Sequence, residues 1–137
     1  MTPQERTSKL RSIALDEAHE KHEWLRQCFK EELEERLKGE DYEEFENIYH
    51  CALLLHIIGD ESDLPLMYSA KCSGDMDLSS GFDWQFLFMK YPQTLKSYAL
   101  SINRPDIVKW LDEYSSDYEE EHMARWLESS KKYHRRA

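Results

Sequence analysis

Residues 48–72 read IYHCALLLHIIGDESDLPLMYSAKC, and this stretch decides the fold. Its first half sets Ile48, Ala52, Leu55 and Ile58 on one helical stripe, widened by Leu53, Leu54 and Ile57. A stripe that broad suits a helix packed on two sides rather than one lying on a surface. Gly59 can adopt the left-handed backbone that closes a helix, and Asp60 to Asp63 carry oxygens suited to capping the next one. Pro65 fits a first helical turn, where amide hydrogens have no partner inside the helix. The stretch predicts two antiparallel helices joined by a short turn.

Within it, Leu55-His56-Ile57-Ile58-Gly59-Asp60-Glu61-Ser62-Asp63-Leu64-Pro65-Leu66 resembles the junction of a HEAT repeat. In that family an apolar helix ends in Ile-Gly-Asp, and a Pro-Leu opens the partner helix. The resemblance spans residues 48–72 and implies HEAT-like antiparallel helix hairpins. No second copy of Gly-Asp and Pro stands at matching offsets, whereas a repeat array shows self-similarity at a fixed period. The expected fold class is therefore all-α: a compact domain of six to eight helices with HEAT-like antiparallel helix hairpins, a compact bundle with one such hairpin fitting at least as well as a true solenoid.

The 137 residues suit a single domain with a real core. Four Trp, eight Tyr and five Phe exclude a disordered chain despite 34% charged residues. Strand signals are lacking, since no alternating β-branched segment occurs and Val108 is the only valine. The cysteines Cys28, Cys51 and Cys72 form no CxxC pair, so neither a zinc ribbon nor a redox dithiol is indicated. Cys51 and Cys72 read as small core hydrophobes. The opening MTPQERTSKLRS has no apolar signal core, and no apolar run reaches membrane-spanning length. A cytoplasmic setting without membrane contact is expected.

The net charge of −10 is unevenly placed. Residues 41–70 hold Asp41, Glu43, Glu44, Glu46, Asp60, Glu61 and Asp63 but no Lys or Arg. Such a surface repels phosphate backbones and favours basic partners. Lys131, Lys132, Arg135 and Arg136 are offset by Glu119 to Glu121, so nucleic acid is not an expected ligand.

In chain order, residues 1–38 read as one long helix or a helix pair, opened by Thr2 and Pro3 and faltering near Lys21 and His22. Residues 41–72 form the central hairpin, with Asp41 as cap and Tyr42 and Phe45 starting its buried stripe. The Gly/Ser/Asp-rich stretch 73–83 reads as a loop. Residues 84–137 supply the C-terminal helices: a short one from Trp84, one through Leu95 and Ala99, and one opened by Pro105-Asp106. A further, final helix is capped by Ser115 or Ser116 and carries Met123, Trp126 and Leu127, with a fraying basic tail.

Several chemical motifs can be weighed and set aside. His19-Glu20-Lys21-His22 spaces its histidines by three, where a zinc protease needs four on one helix face. Asp75-Met76-Asp77-Leu78-Ser79-Ser80-Gly81 starts like a calcium loop, but Phe86 stands where a bidentate Glu is required. His50 and His56 lie six apart, too far round a helix to share a metal. Neither a nucleophile elbow nor a phosphate-binding loop occurs. No catalytic residue, metal or cofactor is assigned.

The expectation is an interaction module that meets a basic protein partner through Asp60, Glu61, Asp63, Asp75, Asp77 and Asp83, with Trp84 or Tyr68 as aromatic anchors. By type, small acidic helical proteins of this kind resemble bacterial toxin-neutralising immunity proteins, which implies a basic toxin domain as partner. Two other classes stay open. One is a small-ligand binder or enzyme with a pocket around Asp77, Trp84 and His56; separately, Asp60, Asp63, Asp77 and Asp83 could act as paired carboxylates if they converged, although helix capping already accounts for the first two. The other is an oligomerisation unit that pairs its N-terminal helices between subunits.

Overall fold

A computed structural model describes residues 1–38 and 46–136. The expected cap Asp41 and the stripe residues Tyr42 and Phe45 lie outside the described residues. Among those described there are eight α-helices and no strand, so the all-α expectation holds. The helices are α1 (Pro3–Ser12), α2 (His22–Leu37), α3 (Asn47–Ile58), α4 (Leu64–Lys71), α5 (Met76–Gly81), α6 (Pro92–Ser101), α7 (Pro105–Ser115) and α8 (Glu120–Arg136). Among the described residues no helix is long and apolar enough to cross a membrane.

The centre of the molecule is α3, which buries Ile48, Cys51, Ala52, Leu53, Leu54 and Leu55 and so is covered on nearly every side. Its main neighbour is α2, which buries Leu25, Cys28, Phe29 and Leu33, and α1 also leans on it. Gly59 closes α3 at φ +74°, its amide donating to the Leu55 carbonyl at 3.1 Å. Asp60 then caps the following 3₁₀ turn by accepting from the Ser62 amide at 2.9 Å, and Pro65 sits in the first turn of α4. The predicted turn is present. The helices it joins, however, pack mainly on other elements: α3 on α2, and α4 on α5 and the 3₁₀ turn Trp84–Leu87.

The N-terminal 38 residues are two helices, not one rod. Thr2 and Glu5 form a reciprocal capping box at the start of α1. The chain then turns extended at Ile13, passes through a 3₁₀ helix over Leu15–Lys21, and begins α2 at His22. Arg6 fixes α1 to α2. Its guanidinium is fully buried and meets Glu32 at 2.5 Å, Glu35 at 2.5 Å and Glu31 at 3.2 Å. The apolar faces of both helices are thus used inside the chain.

Three expectations need correction. The stretch 73–83 is not a continuous loop, because Asp75 accepts from the Leu78 amide at 2.9 Å and starts α5, which buries Leu78. Ser115 and Ser116 end α7 rather than capping α8, which starts at Glu120, and the basic tail is helical to Arg136. Cys72 is exposed, whereas Cys28 and Cys51 are buried, with the Cys51 thiol donating to the Leu25 carbonyl at 3.1 Å.

Candidate functional site: two clefts beside the last helix

The last helix is held less by apolar burial than by polar and ring contacts. Among its described side chains only Met123 and His134 are buried, with Trp126 and Leu127 half-buried. The Trp126 indole N–H donates to Asp83 at 2.9 Å, and the Tyr133 hydroxyl donates to Glu46 at 2.9 Å. That bond pushes the Tyr133 phenol above its usual pKa. His56 meets the Trp126 ring edge-on at 5.0 Å, and His134 stacks on His50 at 4.9 Å.

On one side of α8 lies a groove of about 520 Å³ lined by Tyr49, Phe86, Trp126 and Tyr133, with the carboxylates of Glu46 and Asp83 at its walls. No lysine or arginine is among its described lining residues. Glu46 and Asp83 accept from a phenol and an indole, and among the described residues neither makes an ion pair. The Lys71 ammonium donates to the carbonyls of Ser79 and Phe82 at 2.9 and 2.8 Å, and Asp83 attracts it from beyond ion-pair distance. Gly81 makes room for Tyr49, since a Cβ at that position would lie 2.6 Å from the phenol oxygen. The arrangement is chemically suited to a cation: ring faces attract positive charge, and two anions stand beside them.

The residues chosen from sequence fall in different places. Asp63 does not face solvent. Its carboxylate is fully buried and accepts from Arg26 Nε at 2.6 Å, with His22 Nε2 also at 2.6 Å. Burial of a carboxylate is costly without such partners, and here Arg26 and His22 hold α2 to the α3–α4 turn. His22 is consequently tied into the fold through Asp63. Asp60 is partly exposed, bonded to Ser62 and 3.5 Å from Arg26, and the two Ser62 bonds hold its carboxyl below the usual range. Glu61 pairs with Lys90 at 2.6 Å. The hairpin acids are therefore largely neutralised from within.

Asp75 caps α5, and Asp77 is exposed on that helix. Trp84 is half-buried, stacked on His122 and edge-on to Phe88 at 5.4 Å, so its ring is engaged inside the fold. Tyr68 carries Arg104 over its ring at 5.8 Å. Asp77, Trp84 and His56 line no common cleft among those described: Trp84 borders one with Gln85, Asp117, Glu119, His122 and Arg125. His56 donates through Nδ1 to the Phe86 carbonyl at 3.1 Å, and burial pushes its pKa down to about 4. Among the described residues no group of three or more His, Cys, Asp or Glu is placed to hold a metal ion.

Glu46, Tyr49, Phe86, Trp126 and Tyr133 were not singled out as a site from sequence. A signal existed: Trp126, Ser129, Ser130 and Tyr133 recur at helical steps of three, four and seven. It is visible only if the basic tail is read as helix. Comparison with protein-family models, with characterised proteins and with solved structures gave no match to this chain.

Proposed function

We propose that the chain is a protein-interaction module for a basic partner, and that it seats an arginine or lysine side chain of that partner in the groove beside α8. The observation carrying this reading is the pairing of Glu46 and Asp83, free of ion pairs among the described residues, with aromatic walls from Tyr49, Phe86, Trp126 and Tyr133. A cation–π contact contributes about 0.5–2 kcal/mol, the upper end when water is excluded. A desolvated carboxylate adds to it, and the chain's net charge of −10 speeds encounter with a positive partner. Of the acids chosen from sequence, Asp83 remains a contact, and the exposed Asp77 supplies steering charge.

A finer reading is a toxin-neutralising immunity protein whose partner is a basic toxin domain. It rests on the acidity, the helical fold and the cation-suited groove. Co-expression with the product of an adjacent gene tests it: rescue of growth supports immunity, and toxicity unrelieved by the wild-type chain removes it.

The module itself is tested with two baits presented to the same lysate, wild type and the Glu46→Gln/Asp83→Asn variant. Proteins of high isoelectric point should be retained by the first and lost from the second. Equal recovery of the same basic proteins by both baits contradicts the groove.

A further inference from the structure

On an adjoining face of α8 lies a second cleft, of about 620 Å³, whose polarity is reversed. We propose that it binds a small organic anion, a phosphate or carboxylate head carried on a short apolar body. The site goes beyond the interaction groove and shares only His134 with it.

The cleft gathers Arg11 from the end of α1, His50 from α3, and Lys131 and His134 from α8. Concentrating these groups at one place in a chain of net charge −10 is the reverse of what its composition leads one to expect. Leu10, Ile13 and Leu15 form the apolar part of the lining, and Asp16 is its one acid.

The two imidazoles point to a ligand independently of the fixed charges. His50 and His134 stack at 4.9 Å with an interplanar angle of 16°. His134 is only 9% exposed and His50 is half-buried. Neither ring nitrogen pair makes a hydrogen bond to a described residue, yet no buried side-chain nitrogen or oxygen is left unsatisfied. Their nitrogens therefore reach solvent, and both rings line the cleft.

The surrounding charges set the chemistry. Burial, then His134 and Arg11, push the His50 pKa down to about 4, so the ring is neutral near pH 7. Burial also lowers His134, against the pull of Glu46 and Asp83. A neutral imidazole still donates one N–H, and an anion can accept from both rings while Arg11 and Lys131 supply charge. The planar Arg11 fork matches two oxygens of a phosphate or carboxylate, and Lys131 acts as a point charge. Lys131 also lies 3.5 Å from Glu128, whose side chain is 67% exposed, a weak pair that an incoming anion can displace.

The test follows the imidazole resonances of His50 and His134 by NMR during titration with inorganic phosphate, hexyl phosphate, hexanoate and hexanol. Saturable shifts are expected with the hexyl anions, at least about tenfold tighter than with inorganic phosphate because the alkyl chain covers Ala14 and Leu15, the apolar lining residues that still reach solvent. The Arg11→Gln/Lys131→Gln variant should lose about tenfold or more in affinity. Arg11 is exposed, so Arg11→Gln alone repeats the comparison if the double variant is unstable. Four results overturn the proposal: no saturable shift with either hexyl anion up to about 10 mM, hexanol binding as well as the anions, inorganic phosphate matching hexyl phosphate, or unchanged affinity in the variants. Preference for hexyl phosphate or for hexanoate identifies which head group the site takes.

Discussion

Trp126 and Asp83 are 43 residues apart in sequence and are joined by one hydrogen bond of 2.9 Å, indole N–H to carboxylate. The bond ties α8 to the segment leaving α5, and it leaves the second Asp83 oxygen available beside the groove. It also explains how an acid without an ion pair among the described residues is held in place at an aromatic wall. The groove is thus built by long-range pairing, and the stability of those pairings can be tested one by one.

Asp63 is a structural anchor. In Asp63→Ala, Arg26 and His22 lose their shared acceptor, and unfolding free energy should fall by about 2–3 kcal/mol, below the ~3–5 kcal/mol of a fully buried pair because Arg26 and His22 reach solvent. Asp60→Asn should change it by less than about 1 kcal/mol. Urea denaturation measures both, and equal losses would contradict the distinction between them.

Arg6 fastens α1 through Glu31, Glu32 and Glu35. Arg6→Ala leaves the Glu32 carboxylate buried and should cost about 3–5 kcal/mol. Arg6→Lys should recover only part of this, since an ammonium cannot reproduce the planar fork. Urea midpoints of the two variants give the comparison, and full recovery by lysine would show that charge alone suffices.

Gly59→Ala meets no steric obstacle, as the nearest atom to the added Cβ is the Met89 carbonyl oxygen at 3.6 Å. The penalty comes from φ +74° alone and should be about 1–2 kcal/mol. Gly59→Asn should cost less, because asparagine tolerates the left-handed region better. A thermal melt ranks the three proteins; alanine equal to glycine would mean that the turn relaxes.

His56 makes stability fall in acid. Its pKa is about 4 when folded against about 6.5 when unfolded, so the unfolded chain takes up the proton first. The stability is fully present above about pH 6.5, declines as pH falls, and its loss is complete below about pH 4. His56→Gln retains a donor for the Phe86 carbonyl and removes the titration. Between pH 7 and 4.5 it should lose about 2–3 kcal/mol less than wild type in urea titrations. Parallel pH profiles would contradict the assignment.

Local patterns in the sequence were enough to reveal the helical class, the Gly59 turn and the burial of Ile48 to Leu55, because spacing and backbone preference act over a few residues. The groove was less legible. Two acids three residues apart, Asp60 and Asp63, look alike as caps, yet Asp63 is buried because Arg26 and His22 stand 37 and 41 positions earlier. The Gly- and Ser-rich composition of 73–83 masked the short α5, whose one buried residue is Leu78. The end of α1 at Ile13 carries neither Gly nor Pro, so no breaker announced it. Basic residues at the C-terminus concealed the stripe from Trp126 to Tyr133, and with it one wall of the site.

The most direct measurement uses the indole N–H resonance of Trp126, since that proton is bonded to Asp83 inside the groove. On titration with a short arginine- and lysine-rich peptide it should shift saturably, with affinity falling as salt is raised and lost in Glu46→Gln/Asp83→Asn for a folded variant. A Trp126 resonance that stays fixed while the peptide binds elsewhere, or fails to bind at low salt, would contradict the account.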